Sequence, residues 1–257
     1  MKSEDEEVLI YGVENGVATI TLNRPAKMNA LNTELRSAIF DAFRRFEEDD
    51  AAQVAILTGN GKAFCAGADL QEMSQTRMAV PDRNYLPTLG RNIFVTKPVI
   101  AAVNGPALAG GFLLAQSCDL CVASLDAYFA VTEVRRGRGS PWAVPLIWMI
   151  PQRVAMELLL TGRPLTAQRA YEVGLVNNVT RPEDLLTETR TLAEEIATAA
   201  PLSVRAIKRA LYAATDMGRS AALETADAIF ESVYRSEDAQ EGPRAFIEKR
   251  NPVWKGR

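Results

Sequence analysis

An α/β fold with buried, parallel strand pairing is what this 257-residue sequence predicts. Three observations carry it. Short apolar runs such as "VAILTG" (54–59) and "PVIAAVNG" (98–105) lack polar alternation and read as buried strands. These runs alternate with stretches of helical periodicity. The composition is 47% hydrophobic, enough at this length for one sizeable core. In such folds the loops at the C-terminal ends of the strands build the site.

The elements follow in order. "GVATITL" (16–22) reads as a strand, and "NRPAKMN" turns the chain. A helix starts at about Thr33, with Asn32 as its cap and Glu34 in its first turn; Leu35, Ile39, Ala42, Phe43 and Phe46 make one apolar face. After the strands at 54–59 and 98–105 come "DLCVAS" (119–124) and "YFAV" (128–131). Beyond Pro164 the character turns helical. "TAQRAYEVGLVN" reads as a helix ending at Gly174, and "PEDLLTETRTLAEEIATAA" is amphipathic through Leu185, Leu192 and Ile196. Past Pro201, helices continue through Val204, Ile207 and Leu211, then Leu223, Phe230 and Tyr234.

Composition narrows the function. The net charge of −3 gives no reason to expect a polyanionic partner such as nucleic acid. The acidic opening "MKSEDEE" precedes no long apolar run, and no stretch approaches the ~18 apolar residues of a membrane span, so neither leader nor anchor is expected. Cys65, Cys118 and Cys121 are odd in number and fit a reducing cytoplasm. Cys118 and Cys121 form a lone C-x-x-C with no second pair to complete a zinc site, so no metal is expected. The chain has no histidine. That excludes Ser-His-Asp, Cys-His and His-metal chemistry and leaves acid–base work to a carboxylate, Tyr, Lys or Cys, aided by backbone dipoles.

Two Gly-rich turns stand out. "GNGKAFCAGADL" (59–70) and "NGPALAGG" (104–111) each follow a strand and precede a helix, so both can aim backbone N–H groups outward. Neither matches a phosphate-binding loop. Singly each reads as a packing turn; as a pair they can supply converging donors, an oxyanion hole. Glu133, after "AYFAV" and before "RRGRG", is the best placed proton-transfer group. Its other reading is a surface acid paired with Arg135, Arg136 or Arg138.

"NRPAKMNALN", "GKAFCAGADL", "KPVIAAVNGPALAGG", "CDL", "LTGRPLTAQRAYEVGLVN" and "AFIEKRNPVW" occur in the order expected of the crotonase (enoyl-CoA hydratase/isomerase) superfamily. The resemblance runs from about Val8 to Trp254. It implies a spiral of ββα turns over residues 1–200 and a C-terminal helical trimerisation module over residues 201–257, assembled as a homotrimer or a dimer of trimers. It implies an acyl-CoA thioester substrate, with CoA as part of the substrate and no separate cofactor. The shared chemistry is a thioester enolate held by two backbone N–H groups, which by motif position belong to Ala68 and Gly110. Such donors favour the transition state because charge reaches the oxygen only during reaction. By the same resemblance Ala66 and Ala68 offer backbone groups to the CoA adenine, with Asp69 and Leu70 shaping that turn. Lys27, Phe230 and Lys249 match positions near the nucleotide.

Hydratases of that superfamily place two glutamates over the substrate. Here the first position is Leu113 and the second is Glu133. The acyl-pocket residues expected are Leu113, Met73, Pro141 and Trp142. One carboxylate beside an apolar wall, its pKa raised by desolvation, suits a proton shuttle, so a Δ3-Δ2 enoyl-CoA isomerase is the preferred expectation. Hydratase, dehydratase or lyase chemistry is the alternative, and an acyl-CoA-binding scaffold the non-enzymatic one. The stretch "RGSPWAVPLIWMIPQRV" (138–154) carries Pro141, Trp142, Pro145 and Trp148 in a region where the family it resembles commonly has a Gly-rich stretch. It reads either as a repacked helix or as a pocket reshaped for a bulky, cyclic or aromatic acyl group.

Overall fold

The structure, a computed structural model, describes residues 7–76 and 80–257; residues 1–6 of the acidic opening lie outside the described residues. The strands are β1 (Leu9–Glu14), β2 (Val17–Leu22), β3 (Val54–Gly59), β4 (Val99–Val103), β5 (Ala107–Leu108), β6 (Leu120–Ser124), β7 (Tyr128–Ala130), β8 (Leu165–Thr166) and β9 (Asn178–Thr180). The helices are α1 (Thr33–Glu48), α2 (Leu70–Thr76), α3 (Gly110–Ser117), α4 (Leu146–Met149), α5 (Gln152–Thr161), α6 (Ala167–Glu172), α7 (Leu185–Ala197), α8 (Pro201–Ala214), α9 (Arg219–Tyr234) and α10 (Asp238–Ile247).

The main sheet has the order β1-β2-β3-β4-β6-β9, parallel throughout except for the antiparallel β1–β2 hairpin. That hairpin is absent from the sequence expectations. Its turn residues, Asn15 (φ 50°) and Gly16 (φ 79°), are both left-handed, as an Asn-Gly hairpin requires. The parallel strands bury both faces. Val54 and Ile56 of β3 meet Leu185 and Ala193 of α7, while Ala55 and Leu57 join Leu35, Ile39, Phe43 and Phe46 of α1 in the larger cluster. The α1 cap is as expected, Asn32 Oδ1 accepting from Leu35 N at 3.0 Å.

A second sheet, order β5-β7-β8, is extended by isolated bridges. Cys65 pairs with Ala107, Ala107 with Phe129, and Leu31 with Ala68. Successive turns of the chain therefore lay one segment in each sheet before a helix or 3-10 turn. This is the ββα spiral expected above.

Three prolines, Pro141, Pro145 and Pro151, break the 138–154 stretch into a 3-10 turn at Pro141–Ala143 and the single-turn α4. The helix expected to reach Gly174 ends as α6 at Glu172, and Gly174 (φ 85°) reverses the chain. The C-terminal region is helical as expected. Its α8 is latched to the sheet by Asp119, which pairs with Lys208 Nζ at 2.8 Å and accepts from Tyr212 OH at 2.9 Å. Among the described residues no helix is long and apolar enough to cross a membrane.

Candidate functional site

The spiral aligns the candidate residues. Leu108 N donates to Cys65 O at 2.9 Å, and Ala109 N donates to Ala130 O at 2.8 Å, joining three successive turns side by side. Ala68 lies three residues beyond Cys65, Gly110 three beyond Ala107, and Glu133 four beyond Phe129. All three leave the second sheet on the same side.

Glycine permits the close approach of the first two turns. Gly67 has φ 87°, and a Cβ there would lie 2.8 Å from Leu108 O and 3.1 Å from Gly110 N. A Cβ on Gly111 would lie 2.1 Å from Cys65 O. Ala109, just before α3, has φ 50° and ψ −120°, a conformation that suits glycine. It is held from both sides: its N–H bonds Ala130 O, and its C=O accepts from Leu113 N at 3.0 Å. Strain of this kind costs about 1–3 kcal/mol and persists where the surroundings enforce it. Its local effect is to set the direction of the next amide, that of Gly110. Neither the Ala68 nor the Gly110 N–H has an acceptor among the described residues.

Glu133 opens a 3-10 turn (Glu133–Arg136) after β7. Its Oε1 accepts from Trp142 Nε1 at 3.0 Å, whereas its Oε2 is buried with no hydrogen-bond partner among the described residues. Burial raises the carboxyl pKa, against the opposing pull of the backbone, the Trp142 donor and Arg136. The surface-acid reading does not describe this side chain. It bonds an indole, and Arg135 turns its Nε to Thr161 O at 2.8 Å.

The other expected pocket residues differ in exposure. Leu113 is 2% exposed and sits in the main core. Trp142, 8% exposed, is buried beside Glu133, while its neighbour Pro141 is exposed. Met73 is half-buried on α2, its N–H bonded to Asp69 O at 3.0 Å. Asp69 caps that helix, accepting from Gln71 N at 3.1 Å, and it also pairs with Arg24 at 3.3 Å. Asp69 thus orders the turn after Ala68, with Leu70 exposed at its end.

Of the residues matched to CoA, Ala66 gives its N–H to Met28 O at 2.9 Å, and Lys27 is exposed on the adjoining 3-10 turn. The remaining two belong to the C-terminal helical region. Phe230 on α9 stacks on Tyr234 with centroids 6.5 Å apart, and Lys249 follows α10 with φ 54°. Cys118 and Cys121 are buried thiols pushed up by burial, Cys121 to about 12.

Several site residues escape sequence reasoning. Asn29 is fully buried, and its Nδ2 reaches Asn60 O, Ala63 O and Phe64 O at 3.0, 2.8 and 3.1 Å. It thereby fixes the loop that leads to Ala68. Leu86 flanks Gly110, where a Cβ would come within 3.3 Å of it. Tyr85 lies under the Arg36 guanidinium at 4.3 Å, its hydroxyl buried without a partner among the described residues. The Gln116 amide donates to Trp142 O at 3.0 Å.

The family model described as "Enoyl-CoA hydratase/isomerase" matches residues 12–257. The chain belongs to the enoyl-CoA hydratase/isomerase family. It is 40% identical over 241 residues to a probable mitochondrial enoyl-CoA hydratase of Dictyostelium discoideum, covering 93% of this chain and 87% of that protein. It is 39% identical over 252 residues to an (E)-benzylidenesuccinyl-CoA hydratase of Thauera aromatica, covering 95% and 97%. The fold matches the crystal structure of an enoyl-CoA hydratase from Mycobacterium tuberculosis H37Rv with TM-score 0.91 and 38% identity, covering 98% of this chain and all of that one. The crotonase superfamily and its fold are thus shown for this chain.

Proposed function

We propose that the protein adds water to an α,β-unsaturated acyl-CoA thioester, or removes it in the reverse direction. Glu133 is the acid–base group, and the Ala68 and Gly110 amides hold the thioester oxygen. The observation that carries this reading is a buried Glu133 Oε2 without a partner among the described residues, on a turn that leaves the second sheet on the same side as two amides likewise without acceptors. The hydratases among its relatives support water addition over the isomerase expectation.

One carboxylate is sufficient for the proton balance. Oε2 takes a proton from water as the water oxygen bonds C3, and the C2=C3 electron pair moves into the enolate. Charge then rests on the thioester oxygen between the two amides, whose orientation is fixed beforehand. Oε2 returns the proton to C2 as the enolate collapses. A raised pKa makes Oε2 a better base toward water, and a pKa nearer the working pH suits a group that must then return the proton.

A second reading remains because Leu113 occupies the position where the resemblance expects another glutamate. Isomerisation uses the same atoms: Oε2 removes a C2 proton and returns it at C4. Incubation with 2-enoyl-CoA and 3-enoyl-CoA in deuterated water, followed by NMR, separates the two. A 3-hydroxyacyl-CoA product supports the hydratase; deuterium at C4 with bond migration and no hydroxyl product replaces it with the isomerase. Tight CoA-ester binding with neither reaction leaves only the scaffold.

The homotrimer or dimer of trimers belongs to the same proposal. Leu223, Tyr234, Phe246 and Ile247 on α9 and α10 are exposed apolar residues, which supports their burial against another copy. Light scattering on the purified protein tests it: a trimer or hexamer supports the assembly and a monomer overturns it.

A further inference from the structure

We propose that Trp142 is the positioning residue of this site, tying the Glu133 carboxylate to α3, the helix whose first residue is Gly110. The inference rests on Glu133 being the base. Three contacts carry it. Trp142 Nε1 donates to Glu133 Oε1 at 3.0 Å. The Trp142 ring meets Phe112 of α3 edge-on, with centroids 6.0 Å apart and planes at 77°. Gln116 Nε2, one helical turn after Phe112, donates to Trp142 O at 3.0 Å. Residues four apart share a helix face, so α3 grips both the ring and the backbone of the same tryptophan.

The consequence is geometric. Glu133 and Gly110 stand on separate turns of the spiral, yet the reaction needs the base at C2 and the amide at the thioester oxygen to keep a fixed separation. Trp142 supplies the link between them. It also divides the labour of the carboxylate, engaging Oε1 and leaving Oε2 as the oxygen that exchanges protons. In sequence the stretch around Trp142 reads as a reshaped pocket or a repacked helix. Its indole does something more specific.

Few charges compete for Glu133. Arg136 lies on its own turn and favours the carboxylate. The helix α3 has no titratable side chain, and α5, packed against the Glu133 turn, carries Arg153 and Glu157, both exposed, with Glu157 facing Arg163 at 3.8 Å.

The test uses the full-length protein and three variants: Trp142→Phe, Gln116→Leu and Glu133→Gln. Phenylalanine keeps an aromatic ring at this buried position and removes the N–H donor together with part of the indole's volume. The expected result is a fall in kcat of about 10- to 100-fold with little change in KM, because a small misplacement of a reacting group is costly. The acid limb of the pH profile should also move to higher pH, since the carboxylate loses a donor that favours its charged form. Gln116→Leu should lower kcat less and leave the pH limb in place, because the indole donor remains. A folded Trp142→Phe enzyme with wild-type kcat and an unmoved limb overturns the proposal. If that variant does not fold, wild-type kcat in Gln116→Leu overturns it instead. The underlying reading fails separately: full activity in Glu133→Gln removes the base, whatever Trp142 does.

Discussion

Gly67 leaves no room for a side chain against the Gly110 amide. A methyl on Gly67 would lie 3.1 Å from Gly110 N and 2.9 Å from Ala109 Cβ, and Gly67 itself has φ 87°. The two amides assigned to the oxyanion hole therefore depend on one residue having no side chain. Gly67→Ala must both adopt a left-handed backbone and push α3 away. A stability loss of about 2–4 kcal/mol is expected from urea unfolding. In the surviving folded fraction kcat should fall more than KM rises, since a shifted donor weakens the transition state more than the ground state. Unchanged kcat would show that the pair of turns is packing alone.

Asn29 makes the same loop rigid from the other side. Its amide donates to three backbone carbonyls, and its Oδ1 accepts from Arg24 N at 2.8 Å. Asn29→Ala leaves these buried groups without partners. The expected cost is about 2–4 kcal/mol, summing desolvation of more than one group. Hydrogen exchange should quicken first in residues 59–68, ahead of the main sheet. Uniform loosening throughout the molecule would argue against a local role.

How far the sequence reveals all this depends on burial. The strands β3, β4 and β6 are legible because both faces are covered and their residues run apolar without interruption. β1 is not: its outer half, Gly12 to Glu14, is exposed, so no apolar pattern marks it, although Asn15-Gly16 signals the turn. β5 and β8 have two residues each, too short for any periodicity. In the site, Glu133 is legible as an acid at the end of a strand. Its partner is not, because Trp142 stands nine positions further on, within a second 3-10 turn, and nothing in the chain fixes which way the indole turns. Asn29 is hidden for a different reason: a buried asparagine looks like any turn residue until its carbonyl partners are seen.

Asp119 connects the C-terminal helices to the sheet. Its Oδ2 accepts from Val99 N at 2.7 Å and pairs with Lys208, and its Oδ1 accepts from Tyr212 OH. The pair is mostly shielded, with side chains 16% and 15% exposed, so it is worth more than a surface ion pair. Asp119→Ala strands the Lys208 charge and is expected to cost about 3 kcal/mol. Exchange should rise in α8 before α7. If α8 and α7 loosen together, the latch is not specific to the C-terminal helices.

Glu133→Gln joins catalysis to stability. Burial raises the folded pKa of Glu133 above its unfolded value, so the folded protein holds this proton more tightly. Between the unfolded and folded pKa values the native state binds more protons, and stability must fall as pH rises through that window. The ionised carboxylate required for base catalysis is thus the less stable form of the folded protein. Glutamine keeps the size and can still accept from Trp142 Nε1, but it cannot ionise. The variant is expected to lose about 10²- to 10⁴-fold in kcat. Its melting temperature relative to wild type should rise with pH across the same window, and flatten above it. Calorimetry at a series of pH values reads this directly. A melting difference that does not change with pH would mean that Glu133 titrates alike in the folded and unfolded chain, and that its burial does not set its basicity.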